Sequence, residues 1–220
     1  MESVAAVVHG IEPVGAARAA GSGGPLLATL AEGEAADCAR EALLRDCARQ
    51  LMREAATKEP NPVVFNKEQE DVIALIAGKL EEVLAAKDAV ARGEAPRPVS
   101  QLVLLLHGLG GTGKTEVVSL IRRVINNFFG EGGDVAAAQS NSAARGIGGQ
   151  TIHSAFEVPS RNSLQLHALG SGPKESLIDA LREVVAVIFE EVSMIEAALL
   201  GAASYKMCCA RQRWHGCHPF

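Results

Sequence analysis

Eight residues near the middle of the chain, Gly108-Leu109-Gly110-Gly111-Thr112-Gly113-Lys114-Thr115, leave few folds open. The apolar run Leu102 to Leu106 precedes them, and Val117, Leu120, Ile121, Val124, Ile125 and Phe128 follow at helical spacing. An unbroken apolar run of strand length fits a strand buried on both faces, as in a parallel sheet. The 3.6-residue period after it predicts a helix over about 114–129 with one buried stripe. The glycines between the two permit a tight turn that side chains would obstruct. Downstream, Asp134 to Gln139 reads as a short second strand, 174–183 as a helix and Val184 to Phe189 as a stronger third strand. This β-α-β-α-β order predicts an α/β fold with a parallel sheet flanked by helices.

The eight residues also match the pattern G-x-x-x-x-G-K-[ST], which cradles phosphate. Gly108, Gly110, Gly111 and Gly113, with Thr112 among them, let several backbone N–H groups converge on phosphate oxygens. The helix start behind them adds partial positive charge. Lys114 is placed to reach the β- and γ-phosphates, and the Thr115 hydroxyl to bind Mg²⁺, so the expected ligands are ATP and Mg²⁺. A nucleotide hydrolase also needs carboxylates at the end of a neighbouring strand. Glu190-Glu191 stands where the third strand ends, with Glu190 on the metal side and Glu191 as the general base that activates water. The plainer alternatives are a glycine-rich turn without a ligand and a solvated pair of glutamates.

Composition narrows the class. With 220 residues, 48% hydrophobic and 21% charged, the chain has the material for one ordinary domain with a core of its own. Aromatics are only 4%, so Ala, Val, Leu and Ile must fill that core. A net charge of −5 excludes a polycationic tail protein and leaves a local basic groove open. The five cysteines, Cys38, Cys47, Cys208, Cys209 and Cys217, are an odd and scattered set, which points to a reducing compartment rather than a disulfide framework. No apolar run approaches the roughly 20 residues of a spanning helix, and the N-terminus lacks a basic signal region. An intracellular protein without a membrane partner is the expectation. Along the chain we expect a flexible Ala/Gly-rich leader over 1–33, a helical segment over 34–62, the nucleotide-binding domain over 63–204 and an unassigned tail over 205–220. Within 63–204, a helix over about 67–91 carries the stripe Val72, Ile73, Ile76, Leu80, Val83 and Leu84. Cys208, Cys209, His215, Cys217 and His218 have zinc-ligand composition without an accepted ligand spacing.

The glycine-rich segment, Gly149-Gln150-Thr151-Ile152-His153-Ser154 and Glu190-Glu191-Val192-Ser193-Met194 occur in that order. Together they resemble the PIF/RecD-like ATP-dependent DNA helicases of superfamily 1B, over about residues 65–200. The resemblance implies a RecA-like P-loop domain. It implies ATP hydrolysis coupled to 5′-3′ translocation on single-stranded DNA, in DNA repair, recombination and telomere maintenance. It also implies a nuclear or mitochondrial location in a eukaryote. By resemblance, Thr151 and His153 belong to a motif that touches single-stranded DNA. Ser140-Asn141-Ser142-Ala143-Ala144 stands where the family shows Thr-Gly-x-Ala-Ala, which gives Ser140 and Asn141 the same role. Gln69, in Asn66-Lys67-Glu68-Gln69, matches the glutamine that reads adenine. The family has Asp-Glu where this chain has Glu190-Glu191, and a second RecA-like domain where this sequence has 26 residues after Met194. A non-enzymatic nucleotide-binding remnant of such a helicase is the alternative reading, and a small kinase a more distant one.

Overall fold

The computed structural model describes residues 2–8, 43–159 and 175–215. They fall into two compact units, Met1–Val7 with Val103–Ser119 and Ile125–Phe220, and Val8–Leu102 with Leu120–Val124.

The first unit holds a five-stranded sheet and its helices. The strands are β1 (Glu2–Val8), β2 (Leu102–Gly108), β3 (Asp134–Ala138), β4 (Gln150–Thr151) and β5 (Ala186–Glu190), in the spatial order β2-β1-β5-β3-β4. β3 runs parallel to both of its neighbours. Asp134 to Ala138 pair residue for residue with Ala186 to Glu190, and Ala137 and Ala138 with Gln150 and Thr151. The expected α/β architecture is therefore present: a parallel β5-β3-β4 core with helices beside it.

Alternation along these strands builds two cores. Ala137, Val187 and Phe189 point to one face, where they meet Ile152, Phe156, Leu177, Ile178, Leu181, Leu199 and Ala203. Ala136 and Ile188 point to the other, against Val118 and Ile147. The rings of Phe156 and Phe189 lie 5.8 Å apart and tilted by 40°, a favourable aromatic geometry. Small alanines on β3 allow the bulky β5 residues and the helices to close over the strand. The helices are α3 (Lys114–Phe129), α4 (Asn141–Gly146), α5 (Ile152–Ala155), α6 (Glu175–Leu181) and α7 (Ala197–His215).

Three expectations change here. β2 is not buried on both faces. It is an edge strand, its burial alternates, and Val103 and Leu105 remain 68% and 60% exposed. An unbroken apolar run does not distinguish an edge strand from a central one. Residues 2–8, placed within a flexible leader, form the strand between β2 and β5; the rest of that leader lies outside the described residues. α7 runs without a break through position 205, where the unassigned tail was expected to begin. On that helix the hydroxyl of Tyr205 is pushed above its ordinary pKa by its hydrogen bond with Cys209. Cys217 and His218 lie outside the described residues, and among the described residues no three His, Cys, Asp or Glu are placed to hold a metal. No helix among them is long and apolar enough to cross a membrane.

The second unit pairs α1 (Leu43–Ala56) with α2 (Lys67–Ala91). Leu44, Ala48 and Leu51 of α1 are buried, as are Ile73, Ile76, Leu80 and Val83 of the expected α2 stripe. Glu81 is only 4% exposed and is neutralised by Arg45, through the backbone N–H at 3.0 Å and Nε at 3.2 Å. Arg123 reaches Glu54 at 3.3 Å, an exposed pair of small value. α2 starts on a reciprocal cap: Asn66 Oδ1 accepts from Gln69 N–H at 2.9 Å, and Gln69 Oε1 accepts from Asn66 N–H at 2.8 Å. This capping box satisfies two otherwise unpaired donors at the helix start.

Two stability changes follow. A Cβ on Gly149 would lie 2.3 Å from the Ala136 carbonyl oxygen. That neighbour is backbone within the sheet and cannot swing away. Gly149→Ala is expected to cost about 1–3 kcal/mol in urea denaturation. Asn66→Ala is expected to cost about 1 kcal/mol in the same assay, through loss of the cap alone.

Candidate nucleotide and nucleic-acid site

The glycine-rich turn leaves β2 and becomes the start of α3. Gly111 and Gly113 have φ of +77° and +79°, values that L residues with side chains disfavour. A Cβ on Gly108 would crowd the Thr112 hydroxyl at 3.1 Å. The turn is further pinned by Thr112 Oγ1, which donates to the Leu109 carbonyl at 2.8 Å. Lys114 is only 6% exposed, and its ammonium is folded into the turn. It donates to the carbonyls of Leu109 at 2.7 Å and Gly108 at 3.2 Å, and lies 3.4 Å from Thr112 Oγ1. A buried ammonium among convergent backbone N–H groups is an arrangement that suits a phosphate. Thr115, one residue further along α3, is exposed. A hydroxyl and a carboxylate are hard oxygen donors of the kind Mg²⁺ takes.

The carboxylates stand at the end of β5. Glu190 is the last residue of the strand, half-buried, with Oε2 fully enclosed. Glu191 follows with φ of +51° and ψ of 44°. A left-handed glutamate is a strained residue, at about 1–3 kcal/mol, of the sort that concentrates at functional sites. A short 3₁₀ turn, Val192–Met194, fixes it: Glu191 O accepts from Met194 N–H at 2.8 Å, and Ile195 anchors the turn in the core.

The parallel register places other expected residues beside these two. Ala138 pairs with Glu190 on one side and with Thr151 on the other. The turns that follow β3, β4 and β5 therefore leave one edge of the sheet together, and they carry Ser140 and Asn141, Thr151 and His153, and Glu190 and Glu191. Ser140 and Thr151 both cap short helices. Ser140 Oγ accepts from Ala143 N–H at 3.1 Å, and Thr151 Oγ1 from Ser154 N–H at 3.3 Å. Each hydroxyl keeps its own hydrogen to donate. His153 is half-buried, and its Nδ1–H donates to the Val158 carbonyl at 3.0 Å, which leaves Nε2 for another partner. Gln69 belongs to the second unit, and its Oε1 is engaged in the cap of α2. The N-x-x-Q spacing on which the adenine expectation rests is also the spacing of this cap. Gln139 was missed altogether. Its Oε1 accepts from Glu196 N–H at 3.3 Å, 57 positions away, and no local pattern announces such a bond.

The family model for PIF1-like helicases matches residues 93–220. The ATP-dependent DNA helicase RRM3 of Saccharomyces cerevisiae is 28% identical over 142 residues, which cover 64% of this chain and 17% of that helicase. No solved structure matches. The family match covers more than half the chain and includes the cradle, the carboxylate pair and the strands that carry them, and the chain belongs to the PIF1-like helicase family.

Proposed function

We propose that the chain is the first motor domain of an ATP-dependent DNA helicase. In this reading it binds ATP with Mg²⁺ and couples hydrolysis to movement along single-stranded DNA. The observation that carries the reading is the common sheet edge. Carboxylates for hydrolysis and hydroxyl, amide and imidazole groups for nucleic acid leave adjacent strands at the same level. In open α/β sheets ligands bind beyond the carboxyl ends of the strands.

Each residue then has a task. The backbone of 108–113 holds the phosphates, and Lys114 exchanges its carbonyl partners for β- and γ-phosphate oxygens. Thr115 and Glu190 would hold Mg²⁺, which when bound neutralises charge building up between those phosphates. Glu191 orients the attacking water and takes its proton. Ser140, Asn141, Thr151 and His153 face the DNA, with hydroxyl donors for phosphate and an imidazole for a base or phosphate. Gln69 reads the adenine if its carboxamide leaves the cap. The 17% share of RRM3 supports placing a second RecA-like domain elsewhere in the full motor. A 5′-3′ direction, roles in repair, recombination and telomere maintenance, and a nuclear or mitochondrial location belong to the same reading.

Glu190 favours a second reading. Its side chain is one methylene longer than the aspartate of the resembling family, and Mg²⁺ tolerates little change in geometry. On that reading the chain binds nucleotide without turning it over, and Glu190→Asp gives no gain.

The test is steady-state ATP hydrolysis with and without oligo-dT, beside Lys114→Ala. The helicase reading expects strand-stimulated hydrolysis in the unmodified chain and its loss in Lys114→Ala, with nucleotide affinity falling at least tenfold. Nucleotide binding that does not depend on Lys114 would contradict both readings. Lys114-dependent binding without any hydrolysis would select the second.

A further inference from the structure

The β3–β5 ladder ends at Ala138↔Glu190, and the two chains diverge beyond it. One turn leads through Ser140 into α4, and the other through Glu191 and the 3₁₀ turn into α7. Gln139 is the first residue past the ladder. It is half-buried, and its side chain crosses the gap to accept from Glu196 N–H. Glu196 opens α7: its carbonyl accepts from Leu199 N–H at 2.9 Å and Leu200 N–H at 3.0 Å. The backbone between Glu191 and Glu196 is tight, with Glu191 O bonded to Met194 N–H and Val192 O to Ile195 N–H at 3.1 Å. A shift at Glu196 is therefore passed to Glu191 through a turn with little slack. On the other side, Gln139 is joined by one peptide bond to Ser140, whose hydroxyl and carbonyl hold the start of α4. A group that pulls on Ser140 or Asn141 moves Gln139 with it.

We propose that Gln139 is a positioning residue that couples the Ser140–Asn141 turn to the Glu190–Glu191 turn, so that a single strand on the first changes nucleotide affinity at the second. The inference rests on the reading of both turns given above. The side-chain type matters in two ways. A carboxamide oxygen reaches the Glu196 N–H as an acceptor, and asparagine, one methylene shorter, does not. The carboxamide is also neutral, so it adds no charge to the turn that already carries Glu190, Glu191 and Glu196. Coupling between two sites is a free energy and acts equally in both directions, so it can be measured by binding alone, without hydrolysis.

The experiment titrates a fluorescent ATP analogue with Mg²⁺ into the full chain, with and without saturating oligo-dT, for the unmodified chain, Gln139→Met and Gln139→Glu. Methionine keeps the length and removes the acceptor, whereas glutamate keeps the acceptor. The unmodified chain is expected to show a strand-induced change in nucleotide Kd. Gln139→Met should shrink that ratio about two- to tenfold, the range of one neutral hydrogen bond, while each ligand still binds alone. Gln139→Glu should retain the ratio, even if its added charge weakens nucleotide binding in both conditions. An unchanged ratio in Gln139→Met, or no strand effect in the unmodified chain with both ligands bound, would overturn the proposal and leave the functional reading standing. Failure of the unmodified chain to bind either ligand would overturn that reading and the coupling with it.

Discussion

Five consecutive backbone pairings between β3 and β5 set the turns that carry Ser140, Asn141, Glu190 and Glu191 at one height in the first unit. The strands run parallel and end together, so the turns after them leave the sheet at one level. A slip of one residue would turn Glu190 to the opposite face and send Phe189 out of its core. The register is protected by what it buries. Val187 and Phe189 on one face and Ile188 on the other each sit in a different packed cluster, and a slip would exchange them. The height of these turns is therefore held by the apolar packing just below them, and hydrogen bonds such as Glu196 N–H to Gln139 Oε1 join them above it.

The same logic explains where strain is tolerated. Glu191 adopts a left-handed backbone that costs free energy. The 3₁₀ turn and the buried Ile195 hold it there. Gly111 and Gly113 reach comparable φ values without that penalty, because they have no Cβ. One turn of the site is thus conformationally cheap. The other is strained and carries two carboxylates.

Much of this was legible in the sequence, and the failures have identifiable causes. α2 and α3 begin and end where periodicity and the flanking Gly and Pro residues put them. The phosphate cradle was legible because its residues are contiguous. The edge position of β2 was not, since Leu102 to Leu106 carries no polar alternation to betray an exposed face. β1 was hidden in an Ala-rich stretch, although Val4, Val7 and Val8 supplied a β-branched signal. Gln69 fits two local patterns at once, and in the folded chain its Oε1 serves the cap of α2. Gln139 shows the limit of local reading. Its partner is remote in sequence, and only the closed β3–β5 ladder brings the two together.

In the proposed function Thr115, at the start of α3, and Glu190, at the end of β5, hold one metal ion against one nucleotide. Calorimetric titration of ATP with and without Mg²⁺ tests it most directly. The expected result is that Mg²⁺ tightens ATP binding to the unmodified chain. Thr115→Ala and Glu190→Ala should each lose that increment and keep the metal-free affinity. A Mg²⁺ increment that survives both substitutions would contradict the claim and place the metal elsewhere.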